Sequence, residues 1–157
     1  MTVGVEDDAG LSGRFEIFSR PKDSQSEDDW EKIVDEKNLI PDEGLNKYRD
    51  LILGDHVDVP DKFALGIGTT SEASGDTSLE NEQYREDFGS KTENGTGVAR
   101  WEGSLESIEP SNQPFDFSEI AVIFEDGSLG SRITFPAETK DSTQEWRIRY
   151  TLTLTNA

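Results

Sequence analysis

From Trp146 to Thr155 the chain alternates without a break: Trp146, Ile148, Tyr150, Leu152 and Leu154 are separated by Arg147, Arg149, Thr151, Thr153 and Thr155. Side chains along a strand point to opposite faces in turn, so this segment is a strand with one face in a core and the other toward solvent or a partner. Weaker forms of the same period predict strands at Gly13 to Arg20, stopped by Pro21, and at Trp30 to Asp35. These two form an N-terminal hairpin with a polar tip, Lys22 to Asp29. Val98 to Leu105 follows the turn signal Asn94-Gly95, and Ser131 to Phe135 follows Asp126-Gly127 and ends at Pro136. Ile120 to Phe124 is apolar throughout and predicts a strand covered on both faces. A single segment has helical period. Leu45, Tyr48 and Ile52 lie at i, i+3 and i+7 after Pro41-Asp42, and Gly54 supplies the stop, which predicts a helix over about 42–53 packed on a sheet.

The pattern turns on Phe63-Ala64-Leu65-Gly66-Ile67-Gly68-Thr69-Thr70. Here Phe63, Leu65 and Ile67 alternate with Ala64, Gly66 and Gly68, giving a strand with one face almost bare, against which a neighbour can lie close. A polar turn through Ser71, Ser74 and Gly75 follows. Thr77 and Glu80 then have capping-box spacing, which predicts a short helical turn. Short strands divided by Gly and Pro turns, with one helix, argue for a mainly β protein: an antiparallel β-sandwich with an N-terminal hairpin and one packed α-helix. Residues 1–12 have little periodicity and are expected to be a flexible arm, leaving 13–157 as one domain. A chain of 157 residues buries about 68–70% of its unfolded surface, enough for a sizeable core.

The same central block resembles a signature of small structural proteins of tailed phages and tailed archaeal viruses, "ALGTGTT, then DTAL, then E and R". It stands here as Ala64 to Thr70, Asp76 to Leu79, Glu82 and Arg85. Asn38-Leu39-Ile40 followed by Gly44-Leu45 resembles that family's approach to its helix. Glu119 to Phe124 followed by Arg132 resembles its "E-I-G-L-F, then R" segment, and Tyr150 to Leu154 its closing strand. The similarity spans about residues 38–157; Ile67 replaces a small polar residue, and Glu86 to Ile108 carries no landmark. The resemblance implies a virion component of the tail, the baseplate or a capsid decoration, assembled in the host cytoplasm.

Charge sharpens this expectation. Thirty-four Asp and Glu against 15 Lys and Arg give −19, spread along the chain rather than gathered in a tail. Such a skin repels itself in dilute buffer, whereas at molar salt the screening length falls to about 3 Å. A protein at work in multimolar salt, as in a halophilic archaeon, is expected. A DNA mimic would align its carboxylates in rows on one surface, and a calcium site would cluster them. Leu, Ile, Val and Phe together make 23% of the chain, just above the level that reads as disordered. There is no cysteine, so neither disulfides nor thiolate chemistry is available. No apolar stretch approaches the ~18 residues of a membrane helix, and the acidic N-terminus lacks a signal peptide's apolar region.

Candidate chemistry is sparse. His56 is the single histidine, which removes most triads and zinc sites. Asp55, Asp58 and Asp61 beside it match no calcium loop. Gly66 to Thr70 lacks the lysine and helix of a phosphate-binding loop, and no basic cluster suited to nucleic acid is visible in the sequence. Asn94-Gly95-Thr96 fits both a turn and a glycosylation sequon. No catalytic, cofactor or metal residues are therefore assigned. The expected function is a non-enzymatic building block that forms homo-oligomers and contacts other virion proteins, with neither membrane nor nucleic acid as partner. Its interface is expected at Phe63, Leu65, Gly66, Gly68, Thr69 and Thr70, with Arg132, Arg147 and Arg149 as contacts. Glu119 and Arg132 have a second reading as a cross-strand ion pair. The alternative is a carbohydrate-binding module for a host-surface glycan, using Trp30, Trp101 or Trp146.

Overall fold

In the computed structural model, which describes residues 10–155, nine strands form two antiparallel sheets. Strands β1 (Gly10–Pro21), β2 (Glu31–Asn38), β5 (Ser90–Glu93), β6 (Val98–Leu105) and β9 (Gln144–Thr155) make a five-stranded sheet in the order β2-β1-β9-β6-β5. Strands β3 (Pro60–Gly66), β4 (Glu82–Asp87), β7 (Phe115–Phe124) and β8 (Leu129–Lys140) make a four-stranded sheet in the order β4-β3-β7-β8. Their apolar inner faces meet in one core, the β-sandwich that the alternation implies. Phe117 of one sheet meets Trp146 of the other edge to face at 5.8 Å. Gly103 makes room for Phe63 across the gap, since a Cβ there would stand 2.6 Å from the ring. Among the described residues no helix is long and apolar enough to cross a membrane.

Helix α1 spans Asp42–Leu53 and ends at Gly54, whose φ of 76° is left-handed and whose N–H caps Asp50 and Leu51. The buried stripe differs from the expected one. Ile52 is 80% exposed and Leu45 46%, while Gly44 and Tyr48 face the sheet. A Cβ on Gly44 would lie 2.3 Å from the Gly130 carbonyl, and Tyr48 packs on Phe124 at 5.2 Å. The helix sits so close to the sheet because its contact residue has no side chain.

Several boundaries move for physical reasons. Gly10 to Ser12, placed in the arm, extend β1 by pairing with Thr155 to Thr153; the rest of the expected arm lies outside the described residues. The organising strand begins at Pro60 and leaves the sheet at Gly66, so Ile67 to Thr70 are loop. No helical turn forms at Thr77 to Glu80. Strand β7 starts at Phe115, five residues before the expected Ile120 and directly after Pro114. Strand β8 runs through Pro136 because the proline falls in an irregularity between the pairs Phe117↔Glu138 and Glu119↔Thr134, on an edge strand. At that edge a bridge between Leu39 and Arg132 links β2's end to β8.

Candidate functional site

The bare face of β3 does find a neighbour, and it is the chain's own next segment. Lys62, Ala64 and Gly66 stand in register with Ile123, Ala121 and Glu119 on β7, and Ala121 and Glu119 in turn with Arg132 and Thr134 on β8. Residues 67–81 fold back over this outer surface of the four-stranded sheet. Leu79 seats among Ala64, Ala121, Ile123 and Leu129, a burial worth about 1.5–3 kcal/mol.

Glu119, fully buried, holds the loop down. Its Oε2 accepts the amides of Gly68 and Asn81, each at 2.8 Å, and its Oε1 accepts the amide of Glu80 at 2.9 Å and Arg132 Nε at 3.1 Å. Arg132 then donates to Asp76 at 2.9 Å and to the Thr70 carbonyl at 2.8 Å. Burial pulls the Arg132 pKa down, but the bonds to Asp76 and Glu119 outweigh it and leave it raised. A carboxylate with four donors and a guanidinium with three acceptors satisfy the condition under which a buried pair is tolerated. Gly66 and Gly68 are required by this clasp: a Cβ on either would stand 2.5 Å from Glu119 Oε2. Glu80, expected to cap a helical turn, instead accepts the amides of Thr69 and Thr70 at 2.8 and 2.9 Å. The Thr70 hydroxyl and both amides hold its carboxyl below the usual range.

These placements redistribute the expected interface. Phe63 and Leu65 are wholly inside the sandwich core and present no surface. Gly66, Gly68 and Arg132 belong to the clasp, where Arg132 is 3% exposed; Thr69 and Thr70 are exposed on its top. The Glu119–Arg132 pair is the cross-strand contact that the sequence allowed as a second reading, at 3.0 Å.

Arg147 and Arg149 lie on the opposite side of the molecule, the outer face of the five-stranded sheet, which neither the other sheet nor α1 covers. The register arranges this face in rows. One row reads Lys37, Arg14, Thr151, Arg100 and Thr92 across all five strands; the next reads Asp35, Glu16, Arg149, Glu102 and Ser90. A third carries Lys32, Phe18, Arg147 and Ser104, and Arg20 faces Glu145 beyond it. Arg149 pairs with Glu102 at 2.9 Å and lies 4.9 Å from the Phe18 ring. Arg147 reaches Glu27 at 3.1 Å, and its guanidinium holds the Glu27 carboxyl low. Trp30 has the guanidiniums of Arg20 and Arg147 at 4.4 and 4.5 Å from its ring centroid. Trp30, Arg147, Arg149 and Glu102 help line an open hollow of about 570 Å³.

Trp101 and Trp146 are buried in the core; Trp146 contributes to the wall of the hollow, while Trp30 is the half-buried tryptophan at its surface. His56 joins the loop after α1 to the helix: Nε2 donates to the Lys47 carbonyl at 2.9 Å and Nδ1 accepts the Asp58 amide at 3.0 Å. Sequence reading missed Arg14, Lys37 and Arg100 as companions of Arg149. Arg14 stands between Gly13 and Phe15, Lys37 between Glu36 and Asn38, and Arg100 between Ala99 and Trp101, on three separate strands that only the strand order places in line. No family model matches the chain, and no curated protein or solved structure does so either.

Proposed function

We propose that this chain is a virion structural protein of a tailed virus of a halophilic archaeon, a non-enzymatic oligomeric building block of the tail, baseplate or capsid decoration. One observation carries this reading. Residues by which the sequence resembles such proteins, Ala64, Gly66, Gly68, Asp76, Leu79, Glu119 and Arg132, meet in a single clasp whose polar groups bond to one another. Residues used this way fix a shape. The net −19 supports function in brine, where screening removes self-repulsion. Light scattering in about 3 M KCl, with antibody-gold labelling of particles, tests the reading. Oligomers and labelled virions are expected; a monomer at every salt concentration, equally heat-stable at about 0.1 M and 3 M KCl, contradicts it.

The hollow beside Trp30 favours a second reading, a module that holds a host-surface glycan. Of the three tryptophans named for it, Trp30 is the one to test, since Trp101 and Trp146 are buried. Glycan-array binding lost in Trp30→Ala supports this alternative, and an array with no hits removes it.

A further inference from the structure

The outer face of the five-stranded sheet differs in charge from the rest of the protein. Its rows carry seven of the 15 Lys and Arg but, counting Glu27 at the rim, only five of the 34 Asp and Glu. The face is thus net +2 on a chain of −19, and everything else sums to −21. Two of its cations, Arg100 and Lys37, have no ion-pair partner among the described residues, and Arg100 Nε has no hydrogen-bond partner. The opposite outer face is covered by the clasped loop. On that face Glu72, Asp76, Glu80, Glu82 and Glu119 stand against Arg132, which pairs with Asp76 and Glu119, and Arg85, which pairs with Glu82, five acids to two bases or −3. One sandwich therefore has outer faces of opposite sign.

We propose that the bare face of the five-stranded sheet is the receiving half of a head-to-tail interface, and that its occupant is the acidic loop face, residues 67–82, of a second copy of this chain. The inference rests on the oligomeric reading above and adds the surface and direction of contact. Two copies of a −19 chain repel in most orientations; like charges brought together select against those contacts, and complementary ones fix the register. Only the basic face receives an acidic neighbour without that penalty. Brine removes the long-range repulsion and leaves the short contact pairs, Arg100 and Lys37 being free to make them. A contact between two different faces repeats, closing into a ring or continuing as a stack.

The test compares the wild-type chain with the double variant Lys37→Glu, Arg100→Glu and with Ser78→Lys, by light scattering at about 1 M KCl. Ser78 is exposed on the loop, and neither Arg100 nor Lys37 takes part in an ion pair among the described residues, so the variants should melt as the wild type does. Each variant alone is expected to associate at least about tenfold more weakly. Mixing the two variants should give a 1:1 heterodimer and nothing larger, because the acidic loop of one docks on the basic face of the other and the two altered faces cap the pair. A double variant that assembles like the wild type overturns the inference and leaves the building-block reading standing. A wild-type chain that stays monomeric overturns both. If heparin binds the wild type but not the double variant, while oligomer mass is the same for both, the face belongs to an anionic polymer and self-docking is wrong.

Discussion

Arg132 and Glu119, on the covered face of the sandwich, are 3% and 0% exposed at the side chain, whereas Arg147 and Glu27, on the bare face, are 30% and 71% exposed. Both are arginine–glutamate pairs of nearly equal length, 3.0 and 3.1 Å. Their surroundings give them different work. The buried pair cannot fall back on water, so each lone pair and proton must be met by protein, and meeting them pulls residues 67–81 onto the sheet. The exposed pair is solvated either way and contributes little to stability. What it supplies is exposed charge, the feature on which the proposed docking rests. Equal chemistry thus builds an internal clasp on one side of the molecule and an exposed, charged surface on the other.

Mutations that cut the clasp should separate the two faces most clearly. Glu119→Ala leaves Arg132 buried beside Asp76 without its main partner, and a loss of about 3–5 kcal/mol is expected in chemical denaturation. Arg132→Ala should behave alike, losing folding stability rather than assembly alone; unchanged stability in either variant would mean that the loop is not held by this pair. Gly68→Ala forces a methyl to 2.5 Å from both Glu119 Oε2 and Glu80 Cβ, and about 1–3 kcal/mol should be lost. Glu80→Ala is milder. Faster hydrogen exchange at the Thr69 and Thr70 amides is expected, with exchange in β7 unaltered.

The smallest effect belongs to the bare face. Arg14, which donates to both oxygens of Asp35, holds that carboxyl down at about 2. A carboxylate with a lowered folded pKa adds stability above its unfolded value near 4, and that stability is lost as pH falls through about 2. The side chains are 51% and 34% exposed, so screening keeps the contribution below about 1 kcal/mol. Arg14→Ala should move the Asp35 titration, followed by NMR, up toward 4 while the pH 7 melting temperature barely changes. A titration still centred near 2 in that variant would assign the shift to Lys32, the other cation bonded to Asp35.

The helix was readable to the residue, Asp42–Leu53 with Gly54 as its left-handed cap, because capping and backbone φ are local matters. Strand β9 was equally legible, since a long alternation leaves no choice of which side is buried. Reading failed where a group acts across the chain. Thr77 and Glu80 have the spacing of a capping box, yet Glu80 bonds amides 10 and 11 residues earlier. Leu45 and Ile52 have helical period, but the helix turns Gly44 to the sheet because a backbone carbonyl lies beneath it. The alternation around Phe63 and Leu65 was visible as a pattern, while its assignment to an interface missed that the chain covers its own bare face.

By itself, then, the sequence determined the class of fold, the helix and its ends, the sign of the overall charge and the need for something to lie against Ala64, Gly66 and Gly68, all set by local periodicity, backbone sterics and counting. Tertiary structure alone decided that Glu119 gathers amides 38 to 51 residues away and that Lys37, Arg14 and Arg100 share one line across the sheet. Strand order brings those residues together, and the order β2-β1-β9-β6-β5 reflects how two whole sheets bury their inner faces, a property of the assembled core that no single segment carries.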